Sequence, residues 1–482
     1  MTSTCWESFE SYASQLVSRH KVPGISLAAA RNGEIVYAKG FGHRDREAGL
    51  PATTVTVYGI GSITKSFTAV AIMQLEEAGL LSVHDPVVKY LPEFRLKNHQ
   101  AHAEAITIHH FLTHTGGLPP MASLYFAMAD TMKCDPIVAG MEGAAKALEQ
   151  HPPIRTYEEL MDFVAALDLE LLGPPGRYFS YCNEGYGLLG CIIQRLSGLR
   201  YEDYVEERIL KPAGMEHSTF HQSVMATYPE VTQLYFVKPD GDDAQPEAAP
   251  GWWEAPAMSA AGFLRSNVED LIRYMEIYRT RGKVGHERIL SETSVDRMMT
   301  PYATGLGGAY GYGLMLIPNY HGVCLVEHGG GIKGVAAQVS CVPQAGLTGA
   351  ALANVAGAPS PQILLGAVNV LLGLPVNSWR HPRREYRYPV HHLEQFVGVY
   401  PSAEGLSAPL TLTLKEGSLV ATVGPKSYPV RMIGPYMGCV DMKGPEDEAM
   451  PAEFIQNDQG QVIAVCAGGR MLWKRPLPSG QA

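Results

Sequence analysis

The chain has 482 residues, 46% apolar and 18% charged, which is ordinary globular usage and excludes a disordered chain. At about 150 residues per domain, the length predicts about three domains. With 38 Lys+Arg against 48 Asp+Glu, the formal charge is −10 and no basic stripe is present, which argues against a nucleic-acid partner. The longest apolar run, Ile363 to Leu374, is too short to span a bilayer, so no membrane partner is expected. The segment Met1 to Glu7 lacks the basic and apolar regions of a signal peptide, and eight cysteines without a CxxC pair fit free thiols. Both features predict a cytoplasmic protein.

In chain order, apolar residues at helical spacing run from Cys5 to Val17 and end in the cations Arg19-His20-Lys21, predicting a helix. Gly24 to Ala30 and Glu34 to Tyr37 read as strands joined by the hairpin signal Asn32-Gly33. Ser62 to Gly79 reads as a buried helix carrying Phe67, Val70, Ala71 and Leu75. From Leu80 to Met215 the pattern is mostly helical and loop-like, broken at Pro119-Pro120, Pro152-Pro153 and Pro174-Pro175. Strands return at Tyr312 to Leu316, Val323 to His328, Val335 to Val342 and Thr348 to Val355, followed by a helix from Pro361 to Leu372.

Strands from both ends around a helical middle predict an α/β part over about 1–79 and 259–375, with a helical part over about 80–258 inserted. A site is expected in the cleft between the two. The polar, proline-broken stretch 376–390 reads as a linker. Beyond it, 391–482 is strand after strand, with turns at Glu416-Gly417, Gln459-Gly460 and Gly468-Gly469. That pattern predicts a small antiparallel β-barrel or sandwich.

Three motifs carry chemistry. Ser62-Ile63-Thr64-Lys65 puts a hydroxyl and an ammonium on one face at the start of a helix, where backbone N–H groups also face a developing oxyanion. About one chance Ser-x-x-Lys is expected in a chain this long, and Ser18-Arg19-His20-Lys21 is a second match at a helix end. The order of further motifs distinguishes them: Tyr181-Cys182-Asn183 ahead of an amphipathic helix, then His328-Gly329-Gly330 on a strand.

With this ordered set the chain resembles the penicillin-recognising serine hydrolases, in particular the branch of class C β-lactamases, D-aminopeptidases and family VIII esterases. Leu112-Thr-His-Thr-Gly-Gly-Leu118, Ser259-Ala-Ala-Gly-Phe-Leu264 with Asp270, and Tyr310-Gly-Tyr-Gly-Leu314 extend the resemblance over about residues 8–375. It implies the β-lactamase/penicillin-binding transpeptidase-like fold, an antiparallel sheet flanked by helices with an inserted helical domain. Through Phe396-Val-Gly-Val-Tyr400 and its strand pattern, the tail is similar to the lipocalin-like C-terminal domains of some peptidases in this group.

A free hydroxyl is a poor nucleophile, so Ser62 needs a neighbouring base. The resemblance implies Lys65 or Tyr181 for that role and leaves the choice between them open. It also implies Tyr181 as proton donor to the leaving group, Asn183 as an amide contact to substrate, and the N–H groups of Ser62 and Gly331 as oxyanion donors, with His328, Gly330 and Gly331 lining the substrate site.

One departure stands out: His328 occupies the place where penicillin-binding enzymes carry a lysine. An ordinary imidazole titrates near pH ~6.5, so His328 is expected either to act as a neutral or switchable donor to substrate or to serve only as a packing and hydrogen-bonding element that orients Tyr181 and Ser62, with Lys333 as a candidate replacement charge. His110 and His114 have helical metal spacing but no accompanying Glu, so neither metal nor cofactor is expected. Cys182 reads as filler before it reads as a reactive thiol, and Trp252-Trp253 as a packed loop or a cleft lining.

The expected function is a serine hydrolase working through a Ser62 acyl-enzyme on small-molecule amides or peptides, D-amino acids among them. The rivals are a carboxylesterase or weak β-lactamase, and an acylated sensor or scaffold without turnover. The C-terminal domain offers a route to homo-oligomers.

Overall fold

The computed structural model describes residues 3–139, 142–237, 244–381, 386–402, 408–442 and 449–477; residues 382–385 of the expected linker lie outside them. Helix α1 (Ser3–Arg19) leads into β1 (Gly24–Arg31) and β2 (Glu34–Asp45), followed by the short β3 (Leu50–Pro51). Asn32 and Gly33 between β1 and β2 have φ of 52° and 84°, the left-handed pair that a two-residue hairpin requires.

Further along come α2 (Thr64–Glu77) and α3 (Asn183–Ser197), then β4 (Ala303–Gly305), β5 (Gly308–Tyr310), β6 (Met315–Tyr320), β7 (Val323–Ile332), β8 (Val335–Val342) and β9 (Leu347–Ala353). Among the described residues these strands form one nine-stranded sheet in the order β4–β5–β6–β7–β8–β9–β1–β2–β3. The N-terminal strands thus complete a sheet begun by strands from residue 303 onward, with β1 pairing antiparallel to β9. β1 is buried on both faces: Ile25, Leu27 and Ala29 join one core and Ala28 and Ala30 the other, the period of two of a strand. The first core is closed by α1 and by α4 (Ser360–Leu372), through Phe9, Leu16, Ile363 and Leu364. The second holds α2, α3 and the helical segments between them, and it positions the site.

Several strand boundaries differ from expectation: the strand expected to end at Tyr37 continues to Asp45, and the one expected at Thr348–Val355 spans Leu347–Ala353. The strand expected at Tyr312–Leu316 starts at Met315 and continues to Tyr320. Residues 311–314 instead make a tight turn, because Gly313 (φ 67°) passes so close to α2 that a Cβ there would lie 2.8 Å from Lys65 O. The strand expected to end at His328 continues through the glycines to Ile332.

The C-terminal strands β10 (Gly398–Tyr400), β11 (Leu410–Lys415), β12 (Ser418–Val423), β13 (Lys426–Gly434), β14 (Met437–Val440), β15 (Met450–Gln456), β16 (Val462–Ala467) and β17 (Arg470–Trp473) pair in sequence order. Reciprocal backbone hydrogen bonds between Val399 and Arg475 (2.9 and 2.7 Å) bring the first strand against the chain just past the last, giving a nearly closed antiparallel barrel. It has a core of its own around Phe396, Leu412, Met432 and Phe454. Among the described residues, no helix is long and apolar enough to cross a membrane.

The start of the expected linker is fastened to the sheet. Arg380 grips Glu327 of β7 through two hydrogen bonds (2.7 and 2.9 Å), and both side chains are buried. Truncating one partner of such a pair strands the other's charge in the interior. Arg380→Met is therefore expected to lower unfolding free energy by about 3–5 kcal/mol in urea titrations, with Arg380→Lys losing less.

Candidate active site

Ser62 lies on a single 3-10 turn, Gly61–Ile63, that runs directly into α2. Its neighbour on the helix, Lys65, is fully buried. The Lys65 Nζ donates to Ser62 Oγ (3.1 Å), Asn183 Oδ1 (2.9 Å) and Ala261 O (2.5 Å). These acceptors come from the nucleophile turn, the first residue of α3 and the Ser259–Gly262 turn. Burial pushes the Lys65 proton affinity well below that of an ordinary lysine, and the positive charge of Arg470 pushes it further; Glu184 and Cys182 oppose the shift.

Tyr181 approaches from the other side, its ring centroid 4.8 Å from Lys65 Nζ. Its hydroxyl is buried without a well-formed hydrogen bond. Burial pushes the phenol up, opposed in part by Ser62 and Arg470. His114, its ring centroid 4.1 Å from that of Tyr181 and tilted by 31°, accepts the Cys182 N–H on Nδ1 (3.0 Å). It therefore orients the Tyr181-Cys182-Asn183 segment as a neutral ring, its proton affinity lowered first by burial and then by Lys65. His110 uses its own Nδ1 at the start of its short helix, accepting the Thr107 N–H (3.1 Å), so His110 and His114 are engaged in separate places. Cys182 is buried, its thiol pushed up by burial and by Glu184, to which it donates (3.3 Å); this is filler and not a reactive thiol.

β7 runs against the nucleophile turn. A Cβ on Gly330 would lie 1.9 Å from Ile60 O and 3.1 Å from Ser62 N, and one on Gly61 would lie 2.7 Å from Gly331 N. Only glycine fits at these contacts, and they bring the Gly330-Gly331 backbone of β7 against the Ile60–Ser62 backbone.

Two hydrogen bonds hold the His328 ring. Its Nδ1 donates to Gly329 O (2.6 Å), so Nε2 accepts from the Tyr310 hydroxyl (2.9 Å). Burial, and after it the Lys65 charge, lower its titration to about 3, far from the ordinary value. It is a neutral, doubly bonded ring at working pH. Nor is Lys333 a free replacement cation, since it is buried in an ion pair with Asp135. Trp253 belongs to that cluster, its Nε1 donating to Asp135 Oδ2 (2.8 Å).

Two charged residues at the site escape the sequence reasoning. Glu184, the residue after Asn183, is buried and accepts from Ser123 Oγ. Arg470 comes from the barrel, where the β16–β17 hairpin reaches the site. Gly469 O accepts the Tyr181 N–H (2.7 Å), and the Arg470 guanidinium stands 5.4 Å over the Tyr181 ring. The Gly468-Gly469 turn signal announces the hairpin, but nothing local announces where it lands.

Residues 9–371 match the β-lactamase family model, and the chain belongs to that family of serine hydrolases. It is 28% identical over 292 residues to protein flp of Staphylococcus aureus strain MW2, covering 59% of this chain and 52% of that one, so the chain spans about half the length of that relative. Penicillin-binding protein 4* of Bacillus subtilis strain 168 is 25% identical over 413 residues, covering 82% of this chain and 83% of its own. Among solved structures, the octameric penicillin-binding protein homologue from Pyrococcus abyssi is 31% identical with a TM-score of 0.67, covering 97% of this chain and 99% of that one.

The depressed His328 gives a stability signature. Between pH about 3 and its unfolded value near ~6.5, the unfolded chain holds a proton on this ring that the native state does not. Stability therefore falls as pH drops through that window, by about 1.4 kcal/mol per pH unit for each such histidine. His328→Gln should reduce the slope of urea stability against pH by one proton's worth over that window and leave it unchanged above pH ~7.

Proposed function

We propose that the protein hydrolyses small amides, peptides and esters through an acyl-enzyme on Ser62. The observation that carries the reading is the buried Lys65 Nζ, 3.1 Å from Ser62 Oγ and held below its ordinary proton affinity. An amine so placed exists in part as the free base and takes the hydroxyl proton as Oγ attacks the carbonyl carbon. The opposite shifts of Lys65 and Tyr181 support Lys65 as the base for acylation and Tyr181 as the donor to the leaving group.

As the Oγ–C bond forms, charge moves onto the carbonyl oxygen, facing the Ser62 and Gly331 amides. The tetrahedral adduct collapses, the bond to the leaving amine or alcohol breaks, and that group takes the Tyr181 proton, which the Lys65 ammonium replaces. Water then gives a proton back along the same path, adds to the acyl carbon and releases the acid, restoring Ser62. With Asn183 Oδ1 engaged by Lys65, its amide N–H group is the part available to a substrate carbonyl. The positive field that a third-motif lysine would supply reaches Lys65 and Tyr181 from Arg470 instead.

The test is a panel of D- and L-aminoacyl amides, peptides, short-chain esters and a cephalosporin, run on wild type, Ser62→Ala and the control Ser18→Ala. Ser62→Ala should fall below about 1% of wild type on every substrate hydrolysed with the fold intact, and Ser18→Ala should match wild type. A labelled penicillin that gives one stoichiometric burst, with no turnover of any ester or amide, would replace the hydrolase by an acylated sensor.

Arg470 provides an independent check. Removing its charge relieves part of the depression of Lys65, so Arg470→Met should move the acid limb of kcat/KM to higher pH. An unmoved limb would mean that the barrel does not act on the base.

A further inference from the structure

From His328, β7 runs past Gly330 and Gly331 against the Ser62 turn to the turn at Lys333-Gly334, along the side where the sheet faces the helical part. At that far end a bond joins the sheet to the helical part. Lys333 Nζ pairs with Asp135 Oδ2 and donates to Gly251 O (2.6 Å), with the two side chains only 1% and 3% exposed. Asp135 follows the helix Ala129–Lys133 of the helical wall, 198 residues away in sequence. Trp253 roofs the pair: its indole N–H donates to the same carboxylate oxygen (2.8 Å), and Lys333 Nζ stands 5.6 Å over its ring. Asp135 Oδ1 is engaged as well, accepting the Ile137 N–H (3.0 Å).

Beside this bond, Gly59, Gly61, Trp252, Phe263, Ile332 and Lys333 line a narrow, partly open space of about 20 Å³, one residue in sequence from Ser62 and one from Gly331. A water needs at least about 10–15 Å³, so there is room here for about one water. If Tyr181 protonates the leaving group, the leaving group lies toward the His328 and Arg470 end. The acyl group then points toward Lys333.

Resting on the hydrolase reading above, we propose that the Asp135–Lys333 ion pair under Trp253 closes the acyl end of the cleft and restricts the substrate to short acyl groups, up to about the length of a single small aminoacyl unit. A long-chain acyl ester, or a peptide cut in its interior, would need that bond to open. The closure is steric and sits beyond the reacting atoms, so it sorts substrates by acyl length without taking part in the chemistry.

The experiment measures kcat/KM on p-nitrophenyl acetate, butyrate, hexanoate and octanoate, with acetate as the internal reference. Wild type should fall at least about tenfold from acetate to octanoate. Asp135→Ala/Lys333→Ala removes both charges at once and leaves no unpaired ion in the interior. It should raise the octanoate-to-acetate ratio at least about tenfold. Trp253→Ala removes the roof while keeping both ions, and should shift the ratio the same way if the double variant does not fold. A flat wild-type profile, or a folded variant with the wild-type ratio, would overturn the inference and leave the hydrolase standing. Absence of turnover of any ester or amide by wild type would overturn both.

Discussion

An ammonium with no access to water organises this molecule. Lys65 is fully buried, and its three hydrogen bonds go to oxygens from three separate parts of the chain. Moving an ammonium out of water costs several kcal/mol unless such acceptors are in place, and what desolvation remains shows as a weakened hold on its proton. The two effects are one property: the packing that excludes water also weakens the lysine's hold on its proton. Gly313 and Gly330 belong to the same requirement, because side chains at either would hold β7 and the turn before β6 away from α2 and its nucleophile turn.

The barrel is part of this arrangement. Its own core defines it as a separate packing unit, yet Phe179 and Tyr310 of the hydrolase part form a further cluster with Cys466 of β16. The Gly469 carbonyl and the Met471 amide bond to Tyr181 and Ser180, residues 291 positions or so away from the hairpin. A guanidinium delivered this way acts at a distance on the proton affinities of Lys65, Tyr181, His114 and Cys182 without needing to touch a reacting atom. The barrel thus adds positive charge near Lys65 and Tyr181, while His328 is kept neutral by its burial and by the Lys65 charge.

Much of this was legible in the sequence, for identifiable reasons. Ser62 and Lys65 are linked by helical spacing, Asn32-Gly33 by turn chemistry, and β1 and β2 by their strand pattern; all are local signals. The ordered motifs then carried Tyr181, Asn183 and His328 to the same place. What failed to show depends on long-range burial. The imidazole of His328 was expected near its ordinary value, and only the packing of β7 against Tyr310 and Lys65 reveals a titration near 3. Lys333 read as a spare charge because its partner lies 198 residues away. The Ala261 carbonyl is invisible for another reason: a backbone acceptor is present at every residue, and no side chain marks the one that is used.

Two cations flank the site in different settings. At the Lys333 end, cation and carboxylate are joined, so the positive charge is neutralised and the closure is essentially steric. At the Tyr181 end, the Arg470 charge still reaches the catalytic groups, so it also tunes proton transfer. A change in the barrel hairpin should thus alter rate and pH dependence together, whereas a change at Asp135 or Lys333 should alter which acyl group enters. That separation follows from where each counter-charge lies, and it allows substrate range and chemistry to vary independently on one sheet strand.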